Sequence, residues 1–235
     1  MKNLIKYISL FIITLCISSF NASADALSDL LKGNEALSAR DYKEALKWYR
    51  LAADQGYATA QFNLGIMYDN GEGVLEDDTE AVKWYRLVAD QGFARAQFQL
   101  GLMYYNGEGV PQDYAEAVKW YRLAADQGDA GAQNNLGVRY DKGVGVPQDY
   151  KEAAKWYRLA ADQGYARAQN NLGLSYHNGQ GTPQDDVMVY MWFNLAAARG
   201  IEEAKTNKEV IEKRMTRQQI AEAQRLSREW FNEHQ

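Results

Sequence analysis

The side chains that most often carry enzyme chemistry are scarce in this 235-residue chain. It has two histidines, His177 and His234, and one cysteine, Cys16, which together offer little capacity for general-base or thiol chemistry. The Ser-x-x-Lys, Gly-x-Ser-x-Gly and His-Glu-x-x-His arrangements of common hydrolases are absent. We therefore expect no catalytic residues, no cofactor and no structural metal.

Two further patterns are possible ligand sites. Gly-x-Gly segments such as Gly71-Glu72-Gly73 resemble phosphate-binding loops, but no strand precedes them and the third glycine is missing. A calcium loop beginning at Asp69 would need carboxylates at alternate positions, and these do not recur. The glycine pairs are better explained as connections between helices, where glycine supplies a positive φ.

A repeated sequence organises the chain. The motif Lys-Trp-Tyr-Arg-Leu occurs at 47–51, 83–87, 119–123 and 155–159, and its tryptophan recurs every 36 residues. Apolar residues within each copy follow helical spacing on two successive segments. Self-similarity at this period is typical of stacked helical hairpins. The sequence thus predicts an all-α fold, an α/α solenoid of helix-turn-helix repeats.

Helix ends are also predicted. Gly56 follows a long helix, and Asp77 with Glu80 forms the arrangement of a capping box at the start of the next one. Glycine at 65, 101, 137 and 173 lies inside a helix, where it costs roughly 1 kcal/mol against alanine, so we expect close packing against the Trp-Tyr pair. The predicted divisions are a signal peptide at 1–24, an N-terminal capping hairpin at 25–56, four repeats at 57–200 and C-terminal capping helices at 201–235.

The N-terminus predicts export. Lys2 and Lys6 precede an apolar run of about 14 residues and the small residues Ala22-Ser23-Ala24, the order of a secretory signal peptide. Cleavage is expected after Ala24, which places the mature chain in the periplasm or outside the cell. An uncleaved anchor is disfavoured because a spanning helix needs roughly 20 apolar residues. A lipoprotein is disfavoured by the leucine that precedes Cys16.

Charge excludes two classes of partner. The net charge is −5, and it becomes −7 once the two lysines of the signal peptide are removed. An acidic chain with scattered basic residues has no electrostatic footprint for nucleic acid or anionic lipid. We expect a protein partner, no membrane insertion after cleavage, and a monomer.

The repeats resemble the Sel1-like repeat family. The resemblance is carried by Ala-x-Ala-Gln-x-x-Leu-Gly-x-x-Tyr at 58–68, by the Gly-x-Gly-Val loop, by Asp-x-x-Glu-Ala-x-x-Trp at 77–84 and by Ala-Asp-Gln-Gly. It covers nearly all of residues 26–200. It implies a solenoid related to the tetratricopeptide repeat and a role as an adaptor or scaffold. The cysteine-rich pattern of a subgroup described as β-lactam-hydrolysing is absent.

Helix geometry then separates packing positions from free ones. With Leu64 at the centre of the hairpin-facing side, positions 59, 62, 66 and 69 point away from it at 100° per residue. Equivalent positions line the concave surface of tetratricopeptide arrays, so the resemblance makes them partner-binding candidates. Arginines among them would bind carboxylates or backbone carbonyls. The candidates are Thr59, Phe62, Ile66, Asp69, Arg95, Phe98, Leu102, Tyr105, Asn134, Val138, Asp141, Lys142, Arg167, Asn170 and His177.

The predicted groove changes character along the chain. Its N-terminal half is apolar and aromatic through Phe62, Phe98 and Tyr105, and its C-terminal half is rich in amides through Asn134 and Asn170. A polypeptide with an apolar segment followed by a polar one would fit it. The alternative that Phe62 and Phe98 pack between successive first helices stays open.

Three functions follow from this reading. The leading hypothesis is a non-catalytic protein-interaction scaffold of the bacterial envelope or secreted space that binds a polypeptide in the groove. The second is an immunity or inhibitor protein that neutralises a toxin or envelope enzyme. The third is a hydrolase of β-lactams or cell wall, for which the sequence offers no catalytic motif.

Overall fold

The computed structural model describes residues 25–234, and the predicted signal peptide lies outside the described residues. This part of the chain contains twelve α-helices and no strand, which confirms the predicted fold class. Their bounds are α1 25–38, α2 Tyr42–Asp54, α3 Ala58–Asn70, α4 Asp78–Ala89, α5 Ala94–Asn106, α6 Tyr114–Asp126, α7 Ala130–Lys142, α8 Tyr150–Asp162, α9 Ala166–Asn178, α10 Asp186–Ala198, α11 Glu202–Glu212 and α12 Arg217–Glu233.

The chain falls into two compact units. Unit 1 comprises the described residues up to Gly92 together with Gly107–Pro111, and unit 2 comprises Phe93–Asn106 and the chain from Gln112 onward. Within unit 1, α3 packs on α2 and α4. Within unit 2, each helix from α5 to α10 packs on the next in sequence, and α12 returns to pack on α10. The helical hairpin is therefore the building block of both units.

Glycine inside the first helix of each hairpin allows an aromatic ring to approach the backbone. A Cβ atom added to Gly101 would lie 2.7 Å from two ring carbons of Tyr121, on the second helix of the same hairpin. Ordinary van der Waals contact begins at about 3.4 Å. The predicted packing reason for the helix-interior glycines is confirmed, and the ring is the tyrosine of the Trp-Tyr pair. The other pairs are Gly33 with Tyr49, Gly65 with Tyr85, Gly137 with Tyr157 and Gly173 with Phe193.

The aspartates at the start of the second helices are N-caps, as predicted. The second bond of a capping box, from the backbone N–H of the cap residue to the glutamate side chain, is replaced by a bond to the first helix. Asp113 accepts a hydrogen bond from Glu116 N at 2.9 Å. Its own N–H donates to the carbonyl oxygen of Tyr104 at 2.9 Å. Glu116 instead forms an ion pair with Lys119 at 2.6 Å. The cap thereby joins the two helices of its hairpin, because its N–H is bonded to the first helix.

The C-terminal helices close unit 2. Thr216 and Gln219 form the complete capping box that the sequence predicts at the start of α12. Trp230 on α12 lies edge-on to Trp192 on α10, with ring centroids 6.3 Å apart, and both rings are buried. The last hairpin is thus covered by α12 instead of by another repeat.

Candidate functional site

Several side chains that recur in every hairpin belong to the packing of the fold. In unit 1, Gln61 Nε2 donates to the carbonyl oxygen of Ala53 at 3.1 Å, and Gln91 Nε2 donates to Gln61 Oε1 at 3.1 Å. Unit 2 repeats both bonds through other glutamines. The glutamines of the first helices are buried and fasten a first helix to the second helices on either side of it. These buried amides are consequently unavailable to a partner.

This glutamine ladder ends at α10. Gln169 donates to Ala161 O at 3.2 Å, but its Oε1 is buried and accepts no hydrogen bond. The position that donates in the other hairpins is occupied here by Arg199, whose guanidinium lies over the Trp230 ring at 5.0 Å. The last hairpin therefore contains a buried polar atom without a hydrogen-bond partner, which lowers the free energy of unfolding.

The candidates of unit 1 lie on α3, and their exposure differs. Thr59 is exposed, whereas Phe62, Ile66 and Asp69 are half-buried. The Phe62 ring lies 5.5 Å from the ring of Tyr85, so it packs within the hairpin. Asp69 Oδ2 accepts a hydrogen bond from the Tyr85 hydroxyl at 3.1 Å. Burial raises the pKa of Asp69, and this hydrogen bond opposes the rise.

In unit 2 the candidates divide into exposed cations and half-buried packing residues. Arg95, Lys142 and Arg167 are exposed on α5, α7 and α9. Phe98 is half-buried, with its ring 6.0 Å from that of Tyr121. Both phenylalanines of the predicted groove therefore contribute to packing. The remaining half-buried candidates are Leu102, Tyr105, Val138, Asp141 and His177.

The predicted amide-rich half of the groove is not a free surface. Asn134 and Asn170 are each 5% exposed. Asn134 Oδ1 accepts a hydrogen bond from Asn171 Nδ2 at 3.0 Å, which joins α7 to α9. The prediction that these amides point to solvent was wrong because it used the geometry of one helix alone. The neighbouring first helix covers positions that the wheel leaves open.

His177 lies where the C-terminal helices meet the last repeat. Its Nδ1 is 3.5 Å from Arg214 Nη2, and Arg214 forms a two-bond ion pair with Asp186 at 2.6 and 3.1 Å. The adjoining cavity has a volume of about 190 Å³, less than the roughly 300 Å³ of the smallest usual ligand pockets. The cavity is lined by Leu174, His177, Phe193, Asn207, Val210, Ile211 and Arg214.

One buried cation was missed by the sequence reasoning. Arg139 on α7 is 8% exposed, and its guanidinium carbon lies 4.1 Å from the centre of the Tyr105 ring. Methionine occupies the corresponding place in the two preceding first helices, at Met67 and Met103, and both are buried. The signal in the sequence was this single exchange of an apolar residue for a charged one at a packing position.

The last residue of the Lys-Trp-Tyr-Arg-Leu motif is also more exposed than its repetition indicates. The leucines at this place are 42–47% exposed, at Leu51 and Leu87 in unit 1 and at Leu123 and Leu159 in unit 2. The corresponding Leu195 is buried, in the same cluster as Trp230 of α12. The second helices thus carry an exposed apolar side chain in each of four hairpins.

Within residues 25–234, no group of three or more His, Cys, Asp or Glu side chains is placed to hold a metal ion. None of the helices in the described range is both long and apolar enough to cross a bilayer.

The class of protein is then clear, an array of helical hairpins of about 36 residues. The Sel1 repeat family model matches five times, at residues 27–57, 58–93, 94–129, 130–165 and 166–201. This protein belongs to the Sel1 repeat family. No curated protein matches the chain.

Solved structures show the same fold. A protective antigen present in uropathogenic Escherichia coli strains, displaying an SLR fold, is 40% identical with a TM-score of 0.76, over 78% of this chain and 40% of its own. Our chain thus spans less than half of that protein. A Sel1 repeat protein from Oxalobacter formigenes is 38% identical with a TM-score of 0.72, over 76% of this chain and 74% of its own. A putative Sel1 repeat protein from Klebsiella pneumoniae, 22% identical with a TM-score of 0.50, covers 82% of this chain and 96% of its own and shows the fold alone.

Proposed function

We propose that this protein is an exported, non-catalytic scaffold that binds a partner polypeptide on the first helices of its repeats. One observation carries the proposal. Most positions that pack the hairpins hold the same residue types from copy to copy, whereas exposed positions of the first helices vary, with Thr59 corresponding to Arg95 and Lys142 to Asn178. Sel1 repeat proteins generally serve as protein-interaction scaffolds, and a varied surface on a uniform frame suits selective binding.

Export is supported by the order of residues at the N-terminus and by one relative. The Escherichia coli protein that is 40% identical to this chain, over 40% of its own length, is described as a protective antigen, a description that is compatible with export. The test is mass spectrometry of the protein recovered from periplasm and from medium. A mature chain that begins at Asp25 supports export. A chain that retains residues 1–24 and is recovered only from the cytoplasmic fraction refutes it.

The binding face is tested with two matched double variants in unit 2. Lys142→Glu with Arg167→Glu reverses two exposed cations on the first helices, and Leu123→Glu with Leu159→Glu places charges on the second helices. Circular dichroism first establishes that both variants fold. Each is then cross-linked to proteins of an envelope extract. Loss of a wild-type partner with the first variant alone supports the proposal, whereas loss with the second alone assigns binding to the second helices.

A further inference from the structure

Arg139 is a charged side chain at a buried packing position. It is 8% exposed, and the corresponding place is filled by Met67 and Met103 in the two preceding first helices and by Ser175 in the next one, all of them buried. An ionised group transferred from water to such a position costs several kcal/mol unless a counter-charge or hydrogen bonds compensate for it. The structure should therefore show what compensates for the guanidinium.

Within residues 25–234, no carboxylate performs that role. No salt bridge in the described chain includes Arg139, and its Nε is buried and makes no hydrogen bond. Asp141, two residues further on, is half-buried; burial raises the pKa of its carboxyl, and the positive charge that opposes the rise is that of Lys142. No salt bridge of the described chain joins Arg139 to Asp141, although both charges affect the pKa of the Tyr157 phenol.

The surroundings hold the guanidinium in place without neutralising it. Its carbon lies 4.1 Å from the centre of the Tyr105 ring, a cation–π contact. The buried phenols Tyr121 and Tyr157 feel its charge, which lowers their pKa against the larger rise caused by burial. The cation is therefore fixed among aromatic rings and phenol groups of two consecutive hairpins of unit 2.

A guanidinium whose position is set by an aromatic ring is prepared to bind a planar anion. Its N–H groups match the two oxygens of a carboxylate, and less side-chain entropy is lost because the side chain is already ordered. The site has a single positive charge, and the nearby phenols are neutral. That balance suits a carboxylate, which carries one charge, better than a phosphate, which carries nearly two.

We propose that Arg139, held against Tyr105, is the anchor for a carboxylate of the partner polypeptide, from either an acidic side chain or the C-terminus. This inference deepens the proposed function, since it names the chemistry by which a partner would be recognised. It also explains why an arginine stands in a methionine position, because the cost of burying the charge is recovered when the partner binds.

The sign of a stability change separates this role from a structural one. If the guanidinium awaits a ligand, Arg139→Met removes an uncompensated charge and introduces the residue that the two preceding first helices have at this place. The melting temperature of the purified protein should then rise by a few degrees, on the scale of 2–4 °C per kcal/mol for a chain of this size. The control is Arg167→Met, which removes an exposed arginine from α9 and should change the melting temperature little.

Binding is measured with short probes, independently of any cellular partner. The probes are an acetylated tripeptide with a free C-terminus and no acidic side chain, its amide, an amidated tripeptide with one glutamate, and inorganic phosphate. In ¹⁵N-labelled protein we expect the Nε–H signal of Arg139 to shift saturably with one or both carboxylate probes and not with the neutral amide. The same probes should raise the melting temperature of the wild type and not that of Arg139→Met.

The two carboxylate probes distinguish the C-terminus from an acidic side chain as the source. A lower melting temperature for Arg139→Met, an Nε–H signal unmoved by both carboxylates, or a response to phosphate alone would overturn the proposal. If the probes bind at Arg139 but Lys142→Glu with Arg167→Glu still captures every partner, the proposed binding face fails while the carboxylate site stands.

Discussion

Replacing Gly101 with alanine tests the central packing claim most directly. In an open helix this change would stabilise the protein by about 1 kcal/mol, because alanine is the better helix former. In this structure the new Cβ would lie 2.7 Å from two carbons of the Tyr121 ring and 3.4 Å from the carbonyl oxygen of Ala117. The ring has little freedom to move away, since it is 1% exposed and lies against the Phe98 ring, with the ring centroids 6.0 Å apart.

The expected result is therefore a loss of stability. Overpacking of a rigid interior costs roughly 1–3 kcal/mol, and the gain in helix propensity offsets part of it. We expect Gly101→Ala to lower the free energy of unfolding by about 1–2 kcal/mol. The measurement is urea unfolding followed by circular dichroism, with the slope of the transition checked for change.

A double-mutant cycle with Tyr121→Val identifies the cause. Valine removes the ring carbons that the alanine methyl would meet, so in this background Gly101→Ala should stabilise the protein by up to about 1 kcal/mol. The coupling energy would then be about 2–3 kcal/mol. A Gly101→Ala variant as stable as the wild type, or a cycle with no coupling, would refute the claim that this glycine exists to admit the tyrosine ring.

Three further outcomes are expected. Asp113→Ala should lower the free energy of unfolding by about 1 kcal/mol, because it removes an N-cap acceptor, while Glu116→Ala should cost only a few tenths in the same urea titrations, because its ion pair is exposed. Burial raises the pKa of Asp69 in the native protein. Its contribution to stability is therefore present at acid pH and is lost as the pH rises from the unfolded pKa through the native one. Asp69→Asn should flatten the pH dependence of the free energy of unfolding, measured by unfolding curves across that range. Arg199→Gln should supply a hydrogen-bond donor to the buried Oε1 of Gln169 and raise the free energy of unfolding by about 1 kcal/mol. The loss of the exposed cation–π contact with Trp230 would offset part of this gain. A lower melting temperature for this variant would contradict the prediction.

The helix boundaries were the most predictable part of the fold. Gly56 has a φ of 85°, a conformation that glycine adopts without strain, and Asp77 accepts the cap hydrogen bond from Glu80 N at 3.0 Å. Both depend on residues close together in the sequence. The reason for the helix-interior glycines was predictable too, because a cost that recurs in every repeat points to a shared contact.

The exposure of individual side chains was less predictable. A helical wheel placed Asn134 and Asn170 on the free face, yet both are buried. It assigned no role to Arg139, which the structure buries against Tyr105. A helical wheel records direction relative to one axis, while burial depends on which other helices lie alongside.

The sequence alone determined the 36-residue period, the helix ends and the family. Caps, turns and repeated spacing depend on residues that are close in sequence, and the same residues recur in each repeat. Which side chains remain available to a partner was decided only by tertiary structure. Leu159 and Leu195 occupy the same place in their motifs, but the first is exposed and the second is buried where α12 closes the array. The same residue type at the same place in the repeat has different surroundings in different hairpins, and binding depends on those surroundings.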